Sequence, residues 1–338
     1  MEGNEVVMID QRKLPFSFSL FRSGDYRTTC KAIREMVTRG AGAIGAAAAF
    51  AMVQAAMEAE KTNNPGLLLR AREEIRLTRP TAFNLFYNLE KVFAACQKSV
   101  DEALTIAQQL ADENAEEGRL IGVHGAKLIT EGMKIATHCN AGWLGFVDYG
   151  SALSPVYTAF RDGKELFVFA DETRPRSQGA RLTAWELAQE GVPHTIIPDN
   201  ATAWLMQQGE IEMMITGADR IAANGDTANK IGTLEKAIAA HHFGIPFYVA
   251  APLSTFDLSV SDGSGIPIEN RDEREVHYAE GPDDQGFLHT IRLTNPDSQA
   301  LNPAFDVTPA NLITGFITPK GIIQANTEAI QLLFSDGK

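Results

Sequence analysis

Five short apolar segments decide the fold: KIATHC (134–139), LFVFA (166–170), HTIIP (194–198), MMIT (213–216) and FYVAA (247–251). Helix-like stretches alternate with them, near 151–161 and over Ala180–Glu190, Ala201–Gln208 and Leu234–Phe243. They are stopped in turn by Gly163, Gly191, Gly209 and Gly244. Short apolar strands alternating with helices require right-handed crossovers and a parallel sheet. Upstream the period is helical. Helices are expected from Thr28 to about Arg39-Gly40, over Ala43–Glu60 and Leu67–Leu77, from Pro80 to about Gln97, and over 100–132, after an extended start in residues 1–20. Downstream, Thr308-Pro309 opens a short helix before a strand-like piece near Gly315. The expectation is an α/β chain with a mostly helical domain over 1–130 and a domain with a mainly parallel sheet over 131–338.

The chain has 338 residues, 44% apolar and 22% charged, which excludes a disordered or collagen-like protein. Thirty Lys and Arg against 43 Asp and Glu leave a net charge of -13, which disfavours extended nucleic-acid binding. An anionic ligand therefore needs a local cluster of basic groups. Three cysteines with no CxxC, no zinc spacing and no HExxH fit a reducing cytoplasm. The N-terminus has no signal-peptide pattern. The longest apolar run, Gly40–Val53, has 14 residues where a membrane span needs about 20, so no membrane partner is expected. GAGAIG (40–45) matches GxGxxG, but it follows a helical pattern where the dinucleotide fingerprint requires a strand. It reads as a tight turn between helices with Arg39 at its mouth. His241-His242 has no further ligand at metal spacing.

Open parallel sheets bind ligands beyond the carboxyl ends of their strands. Those loops are 139–142, DETRPRSQG (171–179), Asp199-Asn200, GADRIAANGDTANKIG (217–232) and APLSTFD (251–257). Cys139 is either a buried packing residue or a thiol activated by Arg174, Arg176, Arg220 or Lys230 in neighbouring loops. Cys30 and Cys96 read as packing. Asp219 is either a turn cap or a general acid whose pKa burial raises; Asp171, Asp199 and Asp226 are rivals on spacing. Glu172 reads as an ion-pair partner of Arg174 and Arg176. Asn229 and Lys230 are placed at a helix start, where main-chain N–H groups and a Lys suit a phosphate. Gln178-Gly179 follows the same logic.

TRGAGAIG, RPTAFNLF, THCNAG, ADETRPRSQGARLTAWEL, GADRIAANGDTANKIGT, PFYVAAP and NPAFDVTP together resemble the methylthioribose-1-phosphate isomerases, relatives of the regulatory subunits of the guanine-exchange complex of translation initiation. The resemblance runs from about residue 10 to 325. It implies a helical N-terminal domain with a small sheet, a Rossmann-like C-terminal domain and a homodimer. It makes Asp219 the proton donor and Cys139 the second catalytic group, and sets the substrate against Arg39, Gly40, Ala41, Arg79, Gln178, Asn229 and Lys230. The implied reaction turns an aldose 1-phosphate into a ketose 1-phosphate, methylthioribose 1-phosphate in methionine salvage, without redox cofactor or metal. Related enzymes take 5-deoxyribose 1-phosphate or ribose 1,5-bisphosphate, and the initiation-type relatives are non-catalytic. The chain departs from the family's Pro at Gly42 and its Met at Ala201. With Trp143, these positions are expected to shape the pocket around carbon 5 of the sugar.

Overall fold

The computed structural model describes residues 1–79 and 83–335. A hairpin of β1 (Val6–Ile9) and β2 (Leu20–Ser23) precedes five helices: α1 (Tyr26–Arg34), α2 (Ala41–Lys61), α3 (Gly66–Arg76), α4 (Phe83–Cys96) and α5 (Val100–Gly125). Asp25 caps α1, accepting hydrogen bonds from the N–H groups of Arg27 and Thr28. The Ala-rich α2 is apolar on nearly every side because α1, α3, α4 and α5 surround it, and the small side chains let those helices close in. The expected start of a helix at Pro80 lies outside the described residues.

Next come β3 (Met133–Thr137), α6 (Ser154–Arg161), β4 (Leu166–Asp171), α7 (Ala184–Gln189), β5 (His194–Ile197), α8 (Thr202–Gln207) and β6 (Met213–Thr216). They are followed by β7 (Arg220–Ala222), β8 (Thr227–Lys230), α9 (Thr233–Phe243), β9 (Phe247–Ala250) and β10 (Phe256–Asp257). The chain ends with α10 (Arg274–His277), β11 (Tyr278–Pro282), β12 (Leu288–Arg292), β13 (Phe305–Thr308), β14 (Gly315–Thr318), β15 (Gly321–Ile323) and α11 (Thr327–Ser335). The large sheet runs β15-β14-β9-β6-β3-β4-β5, parallel except for β15. Apart from β15, the chain starts this sheet at β3, winds out to β5, then returns to β6 on the other side of β3. This is the doubly wound Rossmann order, and its switch point lies between β3 and β6. Thr137 Oγ1 donates to the Ile215 carbonyl at 2.8 Å and ties the two strands together at their carboxyl ends.

Several expectations need correction. The first helix ends at Arg34, not near Arg39, because Met36 takes a positive φ of 59° and turns the chain. The segment 217–232 is no single loop: Asn224-Gly225-Asp226 closes a hairpin of β7 and β8, and β10 and β13 complete a second sheet around it. Asn229 and Lys230 therefore sit on a strand that ends three residues before α9 begins. The first strand ends at Thr137, and Cys139 lies beyond it with φ 67°.

One buried carboxyl ties α7 to the loop after β3. Glu186 is fully buried and accepts from Asn140 Nδ2 at 2.7 Å and from Tyr157 Oη at 3.0 Å. Burial pushes it up to about 7 against those hydrogen bonds. A value above the unfolded one stabilises the fold below pH about 4.5 and is lost as pH rises through about 7. Glu186→Gln should remove this loss. Urea unfolding at pH 5 and pH 8 should show a pH-dependent drop smaller than wild type by roughly 2.5 kcal/mol. An identical drop in both proteins would refute the assignment.

Candidate active site

One cavity opens at the switch point, beyond the carboxyl ends of β3 and β6. Cys139 follows β3 and Asp219 follows β6, and both line it. So do Arg39, Gly40, Ala41, Arg79, Gln178, Asn229 and Lys230. The structure thus gathers the nine residues that the resemblance assigns, from positions up to 191 apart in sequence.

The backbone at Cys139 is held on both sides. Its N–H donates to Thr173 Oγ1 at 2.9 Å, and its carbonyl accepts from Thr183 Oγ1 at 2.7 Å. These bonds offset the cost of a left-handed φ at a non-glycine residue and fix where the thiol points. Its neighbours are anchored as well. His138 Nδ1 sits 2.8 Å from Asp171 and its Nε2 2.8 Å from the Ile231 carbonyl.

Asp219 lines the cavity with its side chain exposed within it, among closely packed protein groups. Burial raises its pKa, and Lys230, Arg79, Arg271 and Arg39 pull the other way. A carboxyl held this way keeps its proton to higher pH than a free Asp and can donate it. Burial also lowers the Lys230 ammonium, with Cys139 and Asp219 opposing; its Nζ donates to the Ala304 carbonyl at 2.9 Å and lies 4.5 Å from the centre of the Phe305 ring. Arg39 is brought down to about 10 by burial, with Cys139 opposing. The N-cap of α2 is Gly40, which supplies no side-chain acceptor for the first-turn N–H groups. Four cations and a helix N-terminus in one cavity make an anion site within an acidic protein. Gln178 Oε1 is buried with no protein partner, so a polar ligand group would satisfy it.

The rival carboxylates are spent on structure. Asp171 accepts from Thr202 and lies against His138; Asp199 accepts from the N–H groups of Thr173 and Arg174; Asp226 accepts from those of Gly263 and Ala310. His138, Asp171 and Asp199 are the one cluster of metal-ligand type among the described residues, and their donor atoms are already engaged. Of the four cations proposed to act on Cys139, Lys230 shares the cavity. Arg174 instead donates to the carbonyls of Pro175 and Val276, Arg176 pairs with Glu275 at 2.8 Å, not with Glu172, and Arg220 lies 3.5 Å from Asp257.

The expected carbon 5 wall is also corrected. Gly42 faces Asn114 and Phe146 and borders a separate cleft; Ala201 packs against the core; Trp143 stacks edge-on against Trp185 at 5.6 Å. None of the three lines the cavity. Its apolar lining includes Met36, Phe146 and Phe305. Arg271 and His138 also line it and were missed. Arg271 arrives from a long irregular segment, through its N–H bond to the Asn302 carbonyl at 2.8 Å, and no local pattern marks it.

Residues 37–325 match the initiation factor 2 subunit family. A protein of Sulfurimonas denitrificans described as methylthioribose-1-phosphate isomerase is 47% identical, over 97% of this chain and 94% of its own length. One of Methanothermobacter thermautotrophicus, described as a putative enzyme of that name, is 49% identical over 95% and 96%. The crystal structure of 5-methylthioribose 1-phosphate isomerase from Pyrococcus horikoshii superposes with a TM-score of 0.88 at 39% identity, covering 100% of this chain and 95% of its own. A structure from A. fulgidus described as translation initiation factor eIF-2B subunit delta gives 0.82 at 36%, covering 97% and 99%.

The anion site predicts binding of inorganic phosphate, measurable by calorimetry. Lys230→Ala and Arg271→Ala should each weaken it at least tenfold, since a lost charge-assisted contact costs about 1.5–3 kcal/mol. Unchanged affinity in both variants would place the anion elsewhere.

Proposed function

The chain belongs to the initiation factor 2 subunit family, and from that premise we propose that it is the isomerase that converts methylthioribose 1-phosphate to methylthioribulose 1-phosphate. The observation that carries the reading is the pairing of Cys139 and Asp219 across the switch point, inside a cavity lined by Arg39, Arg79, Lys230 and Arg271.

The chemistry follows from the substrate. An aldose 1-phosphate has its anomeric oxygen blocked, so no free aldehyde acidifies carbon 2. A proton must leave carbon 2 and one must reach carbon 1 while the ring opens. This calls for an acid at the ring oxygen and a base at carbon 2, in a site that excludes water. Asp219, whose proton burial retains, serves as the acid, and the Cys139 thiolate serves as the base. The cations and the α2 N-terminus hold the phosphate, and Gln178 accepts from a sugar hydroxyl. Met36, Phe146 and Phe305 offer the apolar contact that a methylthio group gains over a hydroxyl or a second phosphate. The same reading has the chain act as a cytoplasmic homodimer.

The likeness to the A. fulgidus initiation-factor subunit favours a second reading, a non-catalytic regulatory subunit. Turnover separates the two. Purified protein should convert methylthioribose 1-phosphate to a ketose, followed by carbon NMR of the new carbonyl. Cys139→Ser and Asp219→Asn should each lower kcat by about 10²–10⁴-fold without loss of fold. No turnover in the wild type, or near wild-type rates in either variant, would overturn the corresponding assignment. Phe146→Ala should reduce the preference for the methylthio over the 5-deoxy substrate by roughly tenfold, read from kcat/KM. An unchanged preference would take Phe146 out of the carbon 5 wall.

A further inference from the structure

Cys139 stands between two buried polar neighbours, and the one on its C-terminal side leads to a carboxylate outside the cavity. Asn140 is buried, and both ends of its amide are used. Its Nδ2 donates to Glu186 Oε1 at 2.7 Å and to Thr183 Oγ1 at 3.2 Å; its Oδ1 accepts from Arg39 Nη2 at 3.3 Å. Arg39 in turn lines the same cavity as Cys139. Because Glu186 and Thr183 both receive from the nitrogen end, the amide is oriented with its oxygen toward Arg39; the flipped rotamer would set N–H against a guanidinium.

We propose that Glu186 and Asn140 form a relay that positions the Arg39 guanidinium against the Cys139 thiol, and that this relay keeps the thiol reactive. The assignment of the thiol as the reacting base rests on the isomerase reading; the relay itself is tested without substrate.

Three further features fit a relay. Glu186 is surrounded by donors: Asn140 Nδ2, Tyr157 Oη from α6, and the N–H group of Leu144. That set fixes its oxygens while it sits fully buried. A Cβ on Gly142 would stand 2.0 Å from Glu186 Oε2, so the loop after Cys139 passes directly over the carboxyl. Thr183, which touches both the Cys139 carbonyl and Asn140, lies at the end of one wide (π) turn, Gly179–Thr183, that precedes α7. Such turns re-aim side chains at sites of function. The charged and titratable groups around Glu186 are Tyr157, Arg39, Glu190 and Arg161, the last two through their effect on Tyr157.

The test measures alkylation of Cys139 by iodoacetamide against pH in the full chain, followed by mass spectrometry of the Cys139 peptide. Cys30 and Cys96 do not interfere, since burial pushes both thiols up to about 12. Asn140→Ala should slow alkylation at pH 7.5 about tenfold and move the profile to higher pH. The same substitution made on an Arg39→Ala background should add nothing, because the relay acts through Arg39. Glu186→Gln keeps an acceptor toward Asn140 and an amide nitrogen toward Tyr157, so its profile should stay within about threefold of wild type. An unchanged profile in Asn140→Ala, equal slowing with and without Arg39, or slowing in Glu186→Gln as large as in Asn140→Ala would each overturn the relay. None of these outcomes depends on which sugar phosphate the enzyme takes.

Discussion

A backbone contact between two glycines holds the two halves of the site together. Gly40 has φ 94°, and a Cβ there would lie 2.3 Å from the Gly145 Cα. No side chain fits at that position, and only glycine adopts its backbone conformation without strain. The contact seats the first turn of α2 on the loop that follows Cys139. It sets Arg39 and Ala41 over the sheet edge while β3 and β6 diverge at the switch point. A second tether, Gln11 Nε2 to the Leu144 carbonyl at 2.7 Å, brings the N-terminal segment onto the same loop. The N-terminal helices therefore close a crevice that the sheet topology alone would leave open.

Closing the crevice changes the electrostatics inside it. Burial works against the charged forms of Asp219, Arg39, Arg79 and Lys230 at once, and each is rescued only by its neighbours. A doubly anionic phosphate would relieve the excess of cations. The same enclosure favours the neutral, proton-bearing carboxyl at Asp219, which an acid at the ring oxygen requires. Binding and acidity thus share one physical cause, the desolvation of charged groups gathered in one cavity.

Much of this was legible in the sequence. Alternating apolar runs gave the parallel strands, and strand direction alone gave the loops that carry Cys139, Gln178 and Asp219. Sequence reasoning failed where the chain folds back on itself. The small sheet of β7, β8, β10 and β13 pairs strands of two to four residues drawn from distant segments, and no period is visible in runs that short. Lys230 was found for a wrong local reason, as a helix start rather than a strand end. Arg271 depends on pairing with residues 302–304 and carries no local mark. Gly42 and Ala201 stand out as departures from the family pattern, yet they face neighbours outside the cavity, so a departure in sequence did not report a position in space.

On the isomerase reading, an acid and a base, not a direct carbon-to-carbon hydride shift, move hydrogen between the sugar carbons. Running the isomerisation in D2O and reading carbon 1 of the ketose product by proton NMR tests it directly. The proton that Cys139 takes from carbon 2 and delivers to carbon 1 exchanges in part with solvent while on the thiol, so deuterium should appear at carbon 1 of product formed in a single passage. Product with no deuterium at carbon 1, at any extent of reaction, would contradict the account.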